Sequence, residues 1–134
     1  MLNIEEIEMD EFLGEVMSAE AVRAALKADA WNGVAAYILW DRAKRRPIYC
    51  GTAKSSRRLI GHLDKDDLAN RPVGKTHVNP GLRAYCLSQP RGWLGVSFRL
   101  FETEAAARAV ERSIIAQLGI QKFGGILFNQ RLTG

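Results

Sequence analysis

The chain has 134 residues and a net charge of +4, and its length fits one globular domain with a modest core. Its hydrophobic content of 47% and charged content of 25% are ordinary for a globular protein. No apolar run approaches the roughly 20 residues of a membrane span, and the acidic N-terminus lacks the basic start of a signal peptide. Cys50 and Cys86 lack the spacing of a zinc site, so we expect a cytoplasmic protein with two reduced thiols.

The first 30 residues are predicted to form an acidic helical extension, because they carry eight acidic and only two basic side chains. In SAEAVRAALKAD, Ser18 is a candidate N-cap and Glu20 favours the first turn of a helix. A shorter helical piece is predicted around residues 5 to 16. The extension either shields a basic surface, contacts a protein partner or a second copy, or is a solvated helical face packed on the domain.

Residues 31–134 are predicted to form the main domain, which begins with a β-hairpin. The apolar run VAAYILW, residues 34 to 40, is typical of a buried strand, and PIYCG forms a second short strand after a polar turn. Two strands joined by a short loop favour antiparallel pairing. Ser55 or Ser56 can cap the helix that follows in SSRRLIGHL.

The second half of the domain alternates loops, helices and one further strand. Residues 64 to 80 are rich in breakers and are predicted to be a loop, with a short helix near residues 82 to 87. A third strand is predicted over residues 94 to 101. The helix TEAAARAVERSIIAQLG follows, with Thr103 as its N-cap and Gly119 at its end, and a short extended piece then ends at Asn129.

Glu111 occupies an unusual position in this long helix. On a 3.6-residue period it shares one face with Ala107, Ile114, Ile115 and Leu118, which is the face that should meet the core. A buried carboxylate is costly, so such a group is usually paired, hydrogen-bonded or bound to a metal ion. A place at the edge of the apolar stripe is the alternative.

The middle of the chain is strongly basic, with thirteen basic and four acidic side chains in residues 31 to 99. This excess suits a polyanion, since each cation set against a phosphate releases counterions. A solvated basic surface is the alternative on charge alone. The cations that could follow a DNA backbone are Lys44, Arg45, Arg46, Lys54, Arg57 and Lys75, together with Arg83 and Arg91.

The order of these elements and polar residues resembles that of the GIY-YIG nuclease family. The family's two tyrosine motifs are similar to AAY and YCG here, its arginine helix to RLIGH, and its glutamate helix to EAAARAVERSII. Ala35 stands where the family has a glycine. The resemblance covers residues 34 to 129, about three-quarters of the chain. The matching polar positions are Tyr37, Tyr49, Arg58, His62, Glu111 and Asn129.

The resemblance implies a small α/β domain of the α+β type, in which a three-stranded antiparallel sheet is flanked by helices. It also implies an endonuclease that hydrolyses phosphodiester bonds in DNA with one divalent metal ion. Glu111 would hold Mg²⁺ or Mn²⁺, with waters filling most of the coordination shell.

The resemblance also implies roles for the other matching residues. Arg58 would neutralise charge on the nonbridging phosphate oxygens, and Tyr37 would position or deprotonate the attacking water. The remaining three would orient water, phosphate and the backbone of the metal site: Tyr49, His62 and Asn129.

Two further hypotheses come from other classes of protein. The altered first motif and the acidic extension suggest a DNA-binding or interaction module that keeps the nuclease fold without catalysis. The other is an unrelated basic α/β adaptor, in which the matching polar residues would not converge.

Overall fold

The computed structural model describes residues 13–28, 33–67, 80–121 and 125–129. These residues form a mixed α+β fold around one antiparallel sheet with the strand order β1–β4–β2–β3. The elements in chain order are β1 (Met17–Ser18), α1 (Ala19–Ala28), β2 (Val34–Asp41), β3 (Arg46–Ala53), α2 (Ser56–His62), a 3₁₀ helix (Leu63–Asp67), α3 (Pro80–Leu87), β4 (Leu94–Phe101) and α4 (Glu104–Leu118).

The predicted hairpin forms the centre of the sheet. β2 pairs with β3 on one side and with β4 on the other, and every pairing is antiparallel. Tyr37 lies opposite Gly51 in β3 and opposite Phe98 in β4. β2 is therefore an inner strand, which explains its unbroken apolar run, and β3 lies at one edge of the sheet.

The prediction of a three-stranded sheet is wrong by one strand. Met17 and Ser18 form β1 and pair with Val96 and Gly95 of β4. A two-residue strand is too short to show alternation in the sequence, and its partner lies far along the chain. The pairing is set by tertiary contacts that local patterns do not contain.

The helix ends follow the predicted capping. The side chains of Ser18, Ser55 and Thr103 accept hydrogen bonds from backbone amides three residues on, at 3.1, 3.2 and 3.2 Å. Gly119 ends α4 with φ = 74°, a conformation that favours glycine. The helix predicted around residues 5 to 16 lies mostly outside the described residues, and residues 13 to 16 are not helical.

The sheet separates two apolar layers. On one face, α1, α2, the 3₁₀ helix and α3 pack against side chains of the sheet that include Tyr37, Leu39 and Val96. On the other face, α4 packs against Ala36, Ile38, Trp40 and Cys50. The alternation of neighbouring strand residues between these layers is the expected period of two.

The described part of the N-terminal extension belongs to this core. Ala19, Val22 and Leu26 of α1 are buried, so α1 is packed on the sheet. This arrangement matches the interpretation of a helix packed on the domain. None of the helices in the described ranges has the length and apolar character needed to cross a membrane.

Candidate functional site

Tyr37 lies across the edge strand at a position that only glycine fits. A Cβ atom built on Gly51 would lie 2.6 Å from Tyr37 Oη and 2.8 Å from Tyr37 Cζ. Tyr37 is only 2% exposed, so its ring has little room to move away. Because Gly51 of the second motif has no side chain, the phenol ring of Tyr37 can lie across β3.

Replacing Gly51 with alanine should displace the Tyr37 ring and destabilise the fold by about 1–3 kcal/mol, the usual cost of overpacking. If the proposed nuclease activity is present, cleavage should fall as well. Thermal unfolding and a cleavage assay measure the two effects. Gly61→Ala is the matched control, because a Cβ there meets nothing within 4 Å and helix propensity favours alanine. Equal stability of the two variants would contradict this account of Gly51.

His62 contacts the phenol of Tyr37 from α2, the helix that also carries Arg58. Tyr37 Oη and His62 Nε2 are joined by a hydrogen bond of 3.2 Å, and their rings lie 5.1 Å apart between centroids. Arg58 lies one turn earlier, is exposed, and places its positive charge where it lowers the pKa of Tyr37. The predicted Arg-x-x-x-His spacing thus presents both side chains on the Tyr37 side of the sheet.

The phenols of the site remain protonated near neutral pH. Burial raises the pKa of Tyr37 well above its usual value, with Tyr49, Cys50 and Glu111 adding to the effect and Arg58 opposing it. Burial and then Glu111 also raise the pKa of Tyr49, whose ring lies 6.4 Å from that of Tyr37. The carboxylate of Glu111 therefore acts electrostatically on both tyrosines.

Glu111 approaches β3 from the opposite face of the sheet. It is fully buried on α4, as the helical period predicted, and its Oε2 accepts a hydrogen bond from the hydroxyl of Thr52. Thr52 follows Gly51 directly, so neighbouring residues of one strand contact Tyr37 on one face and Glu111 on the other. The site is therefore divided by the edge strand.

Asn129 pairs with the backbone of that same strand. Its Nδ2 donates to the carbonyl of Cys50 at 2.7 Å, and its Oδ1 accepts from the Cys50 amide at 3.0 Å. Phe128 donates its amide to the carbonyl of Ile48 at 2.7 Å. The C-terminal segment thus binds the outer edge of β3 just before Gly51, which fits an orienting role for Asn129 in the backbone of the site.

Cys50 is buried between these elements. Burial, followed by the charge of Glu111, raises the pKa of its thiol far above the usual value, and the thiol lies 4.0 Å from the Glu111 carbonyl oxygen. A protonated, buried thiol packs as a small apolar group.

The donor set around Glu111 fits a hydrated magnesium or manganese ion. Such ions are held by one or two carboxylates, with waters and substrate phosphates as the other ligands. Glu111 supplies the carboxylate. Its negative charge adds to the effect of burial in raising the pKa of three neighbours that stay protonated, Tyr37, Tyr49 and Cys50. In the described part of the chain, no three His, Cys, Asp or Glu side chains form a group that could hold a metal, so a cage built from protein ligands does not fit there.

Access to this carboxylate requires movement. Glu111 has no exposed surface in this conformation. If Glu111 binds an ion that also contacts a phosphate, a neighbouring side chain must first shift to expose the carboxylate.

If Glu111 holds a metal ion as the resemblance implies, Thr52→Val should weaken metal binding by roughly 10- to 100-fold, the usual effect of losing a group that orients a metal ligand. Valine has nearly the shape of threonine but cannot donate to Glu111. The measurement is the Mn²⁺ concentration that gives half-maximal cleavage. Thr52→Ser keeps the hydroxyl and should behave as the wild type; a metal requirement that is the same in the valine and serine variants would contradict the orienting role.

The predicted DNA-contacting cations occupy different places. Lys54 and Arg57 are exposed next to the site, although Lys54 forms an exposed ion pair of 3.6 Å with Glu104. Lys44 and Arg45 are exposed in the turn at the far end of β3. At a rise of about 3.3 Å per residue, that turn lies roughly 20 Å from Gly51 along the strand.

Arg46 and Lys75 differ from these exposed cations. Arg46 is half-buried, and its Nε is buried without a hydrogen-bond partner among the described residues. It lies near Tyr85, whose hydroxyl donates to the buried carboxylate of Asp41, and its charge opposes the raised pKa of Tyr85. This setting favours a structural role for Arg46. Lys75 lies outside the described residues, and contact of any of these cations with DNA stays a prediction.

The matching residues therefore converge on a short stretch of β3, with Tyr37, Tyr49, Arg58 and His62 on one face and Glu111 on the other. The sequence interpretation missed Thr52, although strand alternation from Cys50 indicates that it faces α4. It also missed Lys65, which lies 3.0 Å from His62. The sequence feature that could have identified Lys65 is its spacing of three residues from His62, which places the two side chains on one side of a helical turn.

No protein-family model, curated protein or solved structure matches this chain. The resemblance to the GIY-YIG nucleases rests on the sequence motifs and stays a prediction.

Proposed function

We propose that the protein is a metal-dependent DNA endonuclease of the GIY-YIG type. The observation that carries the proposal is the placement of these groups about two neighbouring residues of β3: Tyr37 and its partner His62 lie at Gly51 on one face, and the buried carboxylate of Glu111 lies at Thr52 on the other. Arg58 lies on the same helix as His62 and acts electrostatically on Tyr37. These groups supply a water-orienting hydroxyl, an imidazole, a guanidinium and a metal-binding oxygen. That combination suits hydrolysis of a phosphodiester.

Glu111 would hold Mg²⁺ or Mn²⁺, with Thr52 fixing the direction of one carboxylate oxygen. When bound, the ion supplies positive charge to the scissile phosphate and the leaving oxygen. Arg58 would bind the nonbridging oxygens, because its planar guanidinium donates two parallel hydrogen bonds. Asn129 would hold the backbone of β3 in place beneath these groups.

Tyr37 would act as a neutral hydroxyl that orients the attacking water. Its pKa is raised well above the usual value by burial, so the phenolate is rare at neutral pH before substrate arrives. The guanidinium of Arg58 opposes this shift and favours charge on the oxygen. Tyr49 would support Tyr37 from the next strand, where the two rings are neighbours.

The exposed cations nearest the site would position the DNA. Lys54 and Arg57 flank the start of α2, while Lys44 and Arg45 would contact phosphates farther along the duplex. A separation of roughly 20 Å corresponds to about six phosphates on one strand. Contacts of this kind bind the backbone without reading sequence.

The second candidate is a DNA-binding module that retains this fold without catalysis. The complete burial of Glu111 and the alanine at position 35 favour it, since both depart from an open nuclease site. This candidate predicts salt-sensitive DNA binding without metal-dependent turnover.

Purified protein incubated with plasmid, branched and flapped DNA distinguishes the two candidates. We expect nicking or cutting in Mg²⁺ or Mn²⁺ and none in excess chelator. DNA binding by the folded protein without cleavage of any of the three substrates would support the second candidate. Absence of both binding and cleavage would contradict both.

A further inference from the structure

A buried lysine lies behind His62. Lys65 belongs to the 3₁₀ helix Leu63–Asp67 and is only 2% exposed. Its Nζ lies 3.0 Å from Nδ1 of His62, while Nε2 of the same ring lies 3.2 Å from Tyr37 Oη. The three side chains form one continuous hydrogen-bonded chain that ends at the phenol oxygen of the site.

The backbone around Lys65 is tied to the sheet. The indole nitrogen of Trp93 donates to the Lys65 carbonyl at 3.3 Å, and the amide of Leu94 donates to Asp66 Oδ1 at 2.9 Å. Leu94 is the first residue of β4 and Trp93 directly precedes it, and β4 pairs with β2. The position of Lys65 relative to Tyr37 is therefore set by the fold.

The chemistry of the lysine and histidine side chains determines which group donates in each of these two hydrogen bonds. An ammonium group has three donors and no acceptor, so Lys65 can bond to Nδ1 only where that nitrogen carries a lone pair. The neutral imidazole then carries its hydrogen on Nε2. Nε2 in turn donates to Tyr37 Oη.

We propose that Lys65 is a positioning residue that holds His62 in the Nε2–H tautomer and thereby makes it a hydrogen-bond donor to Tyr37. The hydroxyl hydrogen of Tyr37 then points away from His62, towards the attacking water or a phosphate oxygen. The tautomer is a property of the free protein. Its consequence for cleavage rests on the proposed nuclease function.

The burial of Lys65 supports this role. Removing an ammonium from water costs free energy unless it finds polar partners, and the ring of His62 supplies one such partner inside the fold. The positive charge of Lys65 also acts electrostatically on the buried thiol of Cys86 in α3. Burial raises the pKa of that thiol to about 11, and Lys65 opposes the shift.

Nitrogen NMR of the full chain labelled with ¹⁵N-histidine tests the proposal directly. The chain has two histidines, His62 and His77, so a His77→Gln variant assigns the signals. At pH about 8.5, above the usual histidine pKa of about 6.5, we expect a protonated Nε2 and an unprotonated Nδ1 in wild-type His62. In Lys65→Met, both signals should move towards a mixture of tautomers, whereas Lys27→Met, which removes an exposed lysine of α1, should leave them unchanged.

A protonated Nδ1 in the wild-type protein would overturn the proposal, and so would unchanged His62 signals in folded Lys65→Met. Because a protonated Nδ1 in the wild-type protein would overturn the proposal without any variant, the proposal stays falsifiable if the methionine variant does not fold. Failure of the nuclease proposal would appear as absent cleavage and would leave the tautomer result standing.

A cleavage assay adds a second readout. Lys65→Met should lower kcat by roughly 10- to 100-fold, as for other groups that orient a site residue, while KM for DNA stays unchanged. Lys65→Arg, which keeps a donor, should retain more activity than Lys65→Met. A methionine variant with a shifted tautomer and wild-type kcat would overturn the functional part of the proposal.

Discussion

Replacing Glu111 with glutamine should abolish metal-dependent DNA cleavage while the protein stays folded. Glutamine keeps the size of the side chain and an oxygen that can accept from Thr52, but it removes the charge that would hold the ion. The measurement is the single-turnover cleavage rate in Mn²⁺, accompanied by thermal unfolding. Because the carboxylate is fully buried, its neutral replacement should unfold at the same temperature or a few degrees higher.

This pair of results separates a functional carboxylate from a structural one. A structural Glu111 would affect stability and leave cleavage intact, whereas a functional residue in a strained or costly position shows the reverse. Glu102→Gln is the matched control, since it removes the same charge at an exposed position just before α4. Cleavage that persists in folded Glu111→Gln would exclude the proposed metal site.

Replacing Arg58 with alanine should lower kcat by about 10²- to 10³-fold, the usual effect of removing one group that stabilises charge in the transition state. Arg58 is exposed on α2, so the loss should not depend on unfolding. Arg58→Lys keeps the charge but loses the planar pair of donors, so we expect partial activity at best. Cleavage rates at saturating DNA measure the effect.

Arg57→Ala is the neighbouring control for Arg58. Arg57 lies one residue earlier on the same helix and is also exposed. Its loss should weaken DNA binding and reduce the slope of log affinity against log salt by about 1, as expected for one phosphate contact. If Arg57→Ala and Arg58→Ala have the same effect on kcat, the assignment of Arg58 to the site is wrong.

Local sequence patterns predicted much of the fold. The capping positions Ser55 and Thr103 and the strand over residues 94 to 101 agree with the structure, because these features depend on residues within one turn or one strand. The β1 strand was missed because two residues show no period, and its pairing with β4 is a tertiary contact. Residues 64 to 67, which belong to the 3₁₀ helix Leu63–Asp67, were predicted as a loop, since their sequence is polar and two hydrogen bonds to this segment come from Trp93 and Leu94.

For the candidate site, too, the sequence predicted features that depend on local patterns but not the tertiary partners of the site residues. The helical period alone indicated that Glu111 meets the core, and the structure confirms its burial. The partners of the predicted residues needed the structure: Thr52 for Glu111, Gly51 beneath Tyr37, and Lys65 behind His62. The contact of Thr52 with Glu111 joins elements that are distant in sequence, and the contact of Gly51 with Tyr37 depends on the exact register of the hairpin, which its sequence does not specify.

The central claim is that one buried carboxylate on α4 and the polar groups of β2 and α2 act together across β3 in metal-dependent hydrolysis. The most direct test is the cleavage of a labelled flapped DNA by wild-type and Glu111→Gln protein, prepared identically and compared across a series of Mn²⁺ concentrations. We predict that the wild-type rate rises with Mn²⁺ to a plateau, while the variant shows no cleavage at any concentration despite binding the DNA. Equal cleavage by the two folded proteins, or none by the wild type on DNA that it binds, would contradict the account.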